Sequence, residues 1–102
     1  MEGAHFIKTG QLVSLSEQNL IDCDHFDYGC EGGMPEAAIT FAIENGGIES
    51  EYSYPYKGQD LNTCKFNSSE VGATFNDVQR IPYMNEQAMQ QAVALNGPVC
   101  LY

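Results

Sequence analysis

A chain of 102 residues, 43% of them hydrophobic and 11% aromatic, has room for one small domain and not for two. Its 14 acidic side chains stand against Lys8, Lys57, Lys65 and Arg80, and the net charge of -10 repels phosphate, which excludes nucleic acid and anionic membranes as partners. No apolar run approaches the roughly 20 residues of a membrane span.

In chain order, "MEGAHFIKTG" has the pattern of the last turns of a helix. In "SLSEQNLIDC", Ser14 and Glu17 fit a capping box, in which each side chain satisfies an orphan backbone donor. The box predicts a short helix to about Cys23, with Leu15, Leu20 and Ile21 as apolar contacts. "DHFDYG" and the pair Gly32–Gly33 are loop-forming. Pro35 suits a first helical turn, where its missing donor has no intrahelical partner to lose. Met34, Ala37, Ala38, Phe41 and Ala42 then recur at helical spacing, and Asn45, Gly46 and Gly47 end the helix. "IESEYSYPYKG" is irregular and aromatic, and "NDVQRIP" predicts a short strand closed by Pro82. Asn85 can cap a third helix, with Ala88, Met89, Ala92, Val93 and Leu95 toward a core and Gly97 at its end. After Pro98, "VCLY" begins a strand with nothing following to pair with. Both ends of the chain have the pattern of cut ends.

Four cysteines are spread through this pattern. Cys23, Cys30 and Cys64, with His25 close by, lack the paired hooks of a zinc site, whose ligands come two to four residues apart in two clusters. A disulfide framework fits better, and Asn67-Ser68-Ser69 is an acceptor triplet for N-glycosylation. Cys100, in a predicted core strand, is expected as a small buried hydrophobe. Cys23 and His25 are two apart at a helix end, so their side chains need not meet. His5 is the only other histidine, and neither has an evident orienting partner. "CEGG" and "ENGG" lack the glycine spacing and the Lys-Ser/Thr pair of a phosphate loop. The acids form no close paired motif. The residues alone therefore describe a stapled, acidic, secreted-type globular piece without a visible active site. Its charge serves solubility, or service in an acidic compartment where partial protonation relaxes self-repulsion.

Six stretches together carry a resemblance: "EGAHFIKTG", "LVSLSEQNLIDCD", "YGCEGGMPEAA", "IENGGI", "YSYPYKG" and "GPVCLY". In their order and spacing, over nearly the whole chain, they resemble the papain-like cysteine peptidases of the cathepsin L and papain group. The resemblance implies an α+β fold: the mostly helical left-hand domain of the papain-like fold plus the first strand of the barrel domain, truncated at both ends. It divides the chain into residues 1–76, part of the helical domain with half of the substrate cleft, and residues 77–102, a crossover, helix and first barrel strand. It makes Gly32 and Gly33 the cleft floor, where an extended peptide lies against bare backbone. Tyr28, Met34, Pro35 and Tyr102 become lining for the subsites two and three residues before the cut, with Tyr102 narrowing its pocket. It pairs Cys23 with Cys64 and leaves Cys30 orphaned, its partner lying upstream of Met1. Without a barrel, Met89, Val93, Val99 and Leu101 would face water.

No catalytic residue is expected among these 102. The nucleophile of such peptidases sits in a Cys-Gly-Ser-Cys-Trp segment that would precede Met1, and the His and Asn would follow Tyr102. The implied function is that of a fragment of a thiol endopeptidase, inert alone. The alternative is a non-catalytic relative acting as a secreted peptide-binding or inhibitory module. Neither implies a cofactor or a metal. The implied partners are an extended peptide or protein substrate, and cystatin-like inhibitors or a propeptide for the parent. The implied location is lysosomal or secreted.

Overall fold

In the computed structural model the description covers residues 1–101. Helices α1 (Glu2–Thr9), α2 (Glu17–Cys23) and α3 (Pro35–Glu44) precede a short strand β1 (Ile48–Glu49). Strand β2 (Val71–Ala73) and helix α4 (Glu86–Asn96) follow. β1 and β2 pair antiparallel, with Ile48 opposite Ala73 and Glu49 opposite Val71.

The cap of α2 is Ser16, not Ser14. Ser16 Oγ accepts the Asn19 N–H at 2.9 Å and donates to the Tyr54 carbonyl at 2.6 Å. The two-residue difference follows from Leu15, which is buried with Ile48 and Ala73 at the centre of the core. Burying it requires extended chain: Leu15 bridges Ser50, and the Ser14 carbonyl accepts the Glu51 N–H at 2.8 Å. The helix can only begin beyond that bridge. Met1, Val13, Leu20 and Phe75 pack around the same cluster.

Gly47 sets how β1 enters this core. Its φ is 135°, and a Cβ there would lie 2.6 Å from Val71 Cγ1 and 2.7 Å from the Ala73 carbonyl oxygen. Only a bare backbone allows the two strands to approach so closely. The strand expected over "NDVQRIP" is absent: residues 76–82 are irregular, and β2 lies earlier, at Val71–Ala73. Asp77 Oδ1 accepts the Val78 N–H at 2.9 Å, a local bond that removes a donor a ladder would need. Arg80 pairs instead with Glu36 on α3, Nε to Oε2 at 2.6 Å.

Between β1 and β2 the chain is irregular, and polar side chains from α2 hold it. Gln18 is fully buried; its Nε2 donates to Asp22 Oδ1 and to the Gln59 carbonyl, and its Oε1 accepts the Lys57 N–H, each at 2.8 Å. Asn19 Oδ1 accepts the Glu49 N–H at 2.9 Å. The buried Tyr54 hydroxyl donates to Asp22 Oδ2 at 2.8 Å and accepts the Lys65 N–H at 3.1 Å. Burial and its hydrogen bond partner Asp22 push that hydroxyl up to about 12, although the Lys65 N–H works the other way. Cys23 and Cys64 are joined in a disulfide with Cα atoms 4.8 Å apart. The bonds to the Gln59 carbonyl and to the Lys57 and Lys65 N–H groups satisfy backbone groups outside the strand pair, which is how an irregular loop can lie against a core.

α4 differs. Its local signals are sound: Asn85 Oδ1 accepts the Ala88 N–H at 2.9 Å, and Gly97 follows with φ 106°. Yet none of its residues is buried. Ala88, Met89 and Ala92 are half-buried, while Val93 and Leu95 are 52% and 81% exposed, so the expected core face is open. Met89, Val93, Val99 and Leu101 line an open groove, as expected of a helix without a barrel behind it. Residues 98–101 form no strand, and Cys100 is exposed rather than buried. The segment meets the rest of the fold at α1, where the bare Cα of Gly3 admits the Pro98 ring; a Cβ there would lie 2.7 Å from Pro98 Cγ. Tyr102 lies outside the described residues. Among the described residues no helix is long and apolar enough to cross a membrane.

Candidate peptide-binding strip

α2 ends at Asp24, and the chain returns to α3 through residues 24–34. This return contains a 3-10 turn at Gly29–Glu31, and Tyr28 N–H donates to the Gly32 carbonyl at 2.9 Å across it. Gly32 has φ 108° and ψ -170°, a conformation reserved for glycine. At Gly33 the reason is space: a Cβ would fall on the Asp27 side chain. Asp27 Oδ1 accepts the Met34 N–H at 2.8 Å, immediately before Pro35 opens α3 as its first residue.

Gly32 and Gly33 are both exposed. Among the described residues, the Gly33 N–H and C=O make no hydrogen bond. Tyr28, 75% exposed, and Met34, 47% exposed, flank the strip, and Pro35 is half-buried behind it. Bare backbone with a free donor and acceptor between apolar side chains can pair with extended peptide as a strand edge does.

Two acids of the return segment each collect a backbone N–H. Asp24 is buried, and its Oδ1 accepts the Phe26 N–H at 2.9 Å. Burial first, and then a hydrogen bond with Asp27, push its carboxyl up to about 6; the Phe26 N–H and nearby His25 act in the opposite sense. Asp24 and Asp27 are three apart in a loop, where neither helical nor strand periodicity marks them as neighbours.

The remaining candidates lie apart from one another. His25 stacks against Phe26 with ring centroids 4.4 Å apart and meets Phe41 edge-on at 6.2 Å. Cys30 and Cys100 are exposed free thiols, and among the described residues neither bonds to a histidine. No group of three or more His, Cys, Asp or Glu side chains among the described residues is arranged to hold a metal. Asn67 is exposed at the start of a 3-10 turn, and its Oδ1 accepts the Ser69 N–H at 3.0 Å and the Ser69 hydroxyl at 2.7 Å.

Residues 1–102 match the family model described as papain family cysteine protease. The chain is 50% identical over 103 residues to a cathepsin L-like peptidase of Aedes aegypti, covering 99% of this chain and 30% of that protein. It is 47% identical over 102 residues to digestive cysteine proteinase 1 of Homarus americanus, covering 97% of this chain and 31% of that protein. Among solved structures, it superposes on digestive procathepsin L 3 of Tenebrio molitor larval midgut with a TM-score of 0.84 at 38% identity, over 92% of this chain and 31% of that one. The cysteine protease CMS1MS2 of Carica candamarcensis, solved in complex with E-64, gives a TM-score of 0.80 at 43% identity over 92% of this chain and 44% of that one. The chain thus spans about three tenths of the length of the curated relatives named here.

Proposed function

The chain belongs to the papain family of cysteine proteases, and from that premise we propose that it supplies one wall and the floor of the peptide cleft of a cysteine endopeptidase that cleaves proteins. The observation that carries this reading is the Gly32–Gly33 strip, exposed, with an unbonded Gly33 donor and acceptor between Tyr28 and Met34. Substrate lies along it in extended form. Met34 and Pro35 line the subsite two residues before the cut, which favours apolar side chains there. The size of that preference is about 1–3 kcal/mol, because a methylene-scale misfit is worth no more.

In this reading residues 1–76 carry the cleft half and residues 77–102 lead into a second domain. Among the described residues no thiol bonds to a histidine, and no peptide turnover is expected from the chain alone. Cys30 is left to pair outside these residues. The disulfide fits an oxidising compartment, and the lysosome or the extracellular space is the proposed setting. Protein substrates, a propeptide and cystatin-like inhibitors are the proposed partners, all of them bound along the same strip.

Titrating the isotope-labelled chain with an end-blocked peptide bearing leucine at its second residue tests the reading. The expected result is amide-shift change confined to Gly32, Gly33, Met34 and Tyr28. Changes centred on α4 instead would overturn it.

A further inference from the structure

Of the chain's asparagines, only Asn67 has a serine or threonine two places on, and Ser68 between them is not proline. This is the acceptor pattern for N-linked sugar, which needs a surface position because the added group is bulky and hydrophilic. The fold supplies that position: Asn67, Ser68 and Ser69 are all exposed. The two ends of the Asn67 side-chain amide have different tasks. The Ser69 backbone N–H can only donate, so the atom it meets at 3.0 Å is the carbonyl oxygen Oδ1, which also accepts the Ser69 hydroxyl at 2.7 Å. Both lone pairs of Oδ1 are thereby used, and among the described residues Nδ2 makes no hydrogen bond. We propose that Asn67 is an N-glycosylation site, which takes an oligosaccharide on Nδ2 and accepts it in the folded chain.

The backbone holds the acceptor from both sides. Before it, Cys64 is bridged to Cys23, and the Lys65 N–H donates to the Tyr54 hydroxyl at 3.1 Å. The Asn67 N–H donates to Oε2 of the buried Glu49, on β1, at 2.9 Å. After it, the 3-10 turn Ser68–Glu70 leads straight into β2. None of these bonds uses Nδ2, so a sugar there displaces none of them. In the transfer, Nδ2 attacks C1 of the first sugar of a lipid-pyrophosphate-linked oligosaccharide. The C1–Nδ2 bond forms and the C1–O bond to the pyrophosphate breaks. The electron pair of that bond leaves on the lipid pyrophosphate, and one Nδ2 proton passes to a base of the transferring enzyme. Oδ1 keeps both Ser69 bonds, which fixes the direction in which the sugar leaves the surface. Such a donor belongs to the secretory route, so the modification rests on the oxidising setting proposed above and not on the peptide cleft.

The test supplies the purified 102-residue chain, its Cys23–Cys64 bridge intact, with a eukaryotic oligosaccharyltransferase and its lipid-linked donor. The product is read by intact mass and peptide mapping. A single oligosaccharide on Asn67 is expected. Because the acceptor is exposed, the folded chain needs no opening step and should react within about tenfold of the rate of a free peptide spanning residues 65–71. Asn67→Gln and Ser69→Ala should each abolish transfer. Ser69→Thr, which keeps the hydroxyl, should retain it, and Ser68→Ala should leave it unchanged. No transfer to the folded wild-type chain overturns the proposal, as does transfer that survives Asn67→Gln. Transfer slower than the stated range would mean that the fold hides the acceptor, and overturns it as well. Both reactants are supplied, so the result bears on the site and not on the compartment.

Discussion

The region from Leu15 to Ala73 and the region from Thr74 to Leu101 obey the same local rules and reach different ends. The first contains α2, capped by the Ser16 side chain, and α3, ended by Asn45-Gly46-Gly47; the second contains α4, which has both a side-chain cap at Asn85 and a glycine after it. The first region buries Leu15, Phe41, Ala42, Ile48, Tyr54 and Ala73, and crosslinks Cys23 to Cys64. The second buries nothing among its described residues. The difference teaches that caps and periodicity define where a helix begins and ends, while its stability comes from the surface it meets. α4 presents Met89 and Val93 to an open groove, so it holds its shape by local bonds and by the few contacts that tie it back, Arg80 to Glu36 and Gly3 to Pro98.

Four changes would break or sharpen this contrast. Replacing Cys23 or Cys64 by serine should have the largest effect. The bridge spans 41 residues, and releasing a loop of that length costs about 4 kcal/mol in the chain-entropy account. Urea melts monitored by circular dichroism should show the Leu15–Ala73 region unfolding in either variant. Persistence of a wild-type melt would mean that the polar clamp from α2 suffices without the crosslink.

Truncating Ile48 to alanine should come next, at about 2–5 kcal/mol, because it lies 1% exposed in the core and its cavity cannot collapse freely. Leu95→Ala, the same kind of truncation on α4, should change stability by less than about 0.5 kcal/mol. Equal losses from the two would erase the distinction between the regions.

The third change concerns pH. Asp24 has its carboxyl raised from 3.8 to about 6, so the folded chain binds the proton more tightly than the unfolded chain does. Stability is then fullest below pH 4 and is lost as pH rises through about 6, by on the order of 1–3 kcal/mol for this group. Asp24→Asn should flatten that slope and stabilise the chain at pH 7. Melts of the variant that keep the wild-type slope between pH 4 and 7 would assign it to other groups.

The last of the four changes, Asn85→Ala, should leave global stability unmoved. Losing the bond to the Ala88 N–H should cost about 1 kcal/mol of local helix stability. Because α4 is not buried, the loss should appear as faster amide exchange over Glu86–Met89 with the unfolding midpoint of the rest unmoved. A shifted midpoint would show that α4 is coupled to the core after all.

Much of this molecule was legible residue by residue. The Pro35 start of α3, its Asn45-Gly46-Gly47 stop, and the Asn85 and Gly97 limits of α4 are local chemistry, and each is where the sequence places it. The family was legible as well, because "SLSEQNLIDC" and "GCEGG" are specific and sit in order. The cap of α2 was misplaced by two residues because Ser14 and Ser16 offer the same local signal, and only the burial of Leu15 separates them. The strand pair was missed because Ile48–Glu49 and Val71–Ala73 are too short to show alternation. The burial of Asp24 was not legible because it lies in a loop, where no periodicity marks the inward side.

What the sequence alone determined, then, is the set of features that depend on a few adjacent residues: helix limits, glycine positions, charge and family pattern. The tertiary structure decided which serine caps, which residues pair as strands, whether a helix face is covered, and that the loop carboxyl of Asp24 is buried. Those outcomes depend on which distant backbone and side-chain groups compete for the same partner, and burial settles that competition, since an unpaired polar group away from water costs more than any local preference returns.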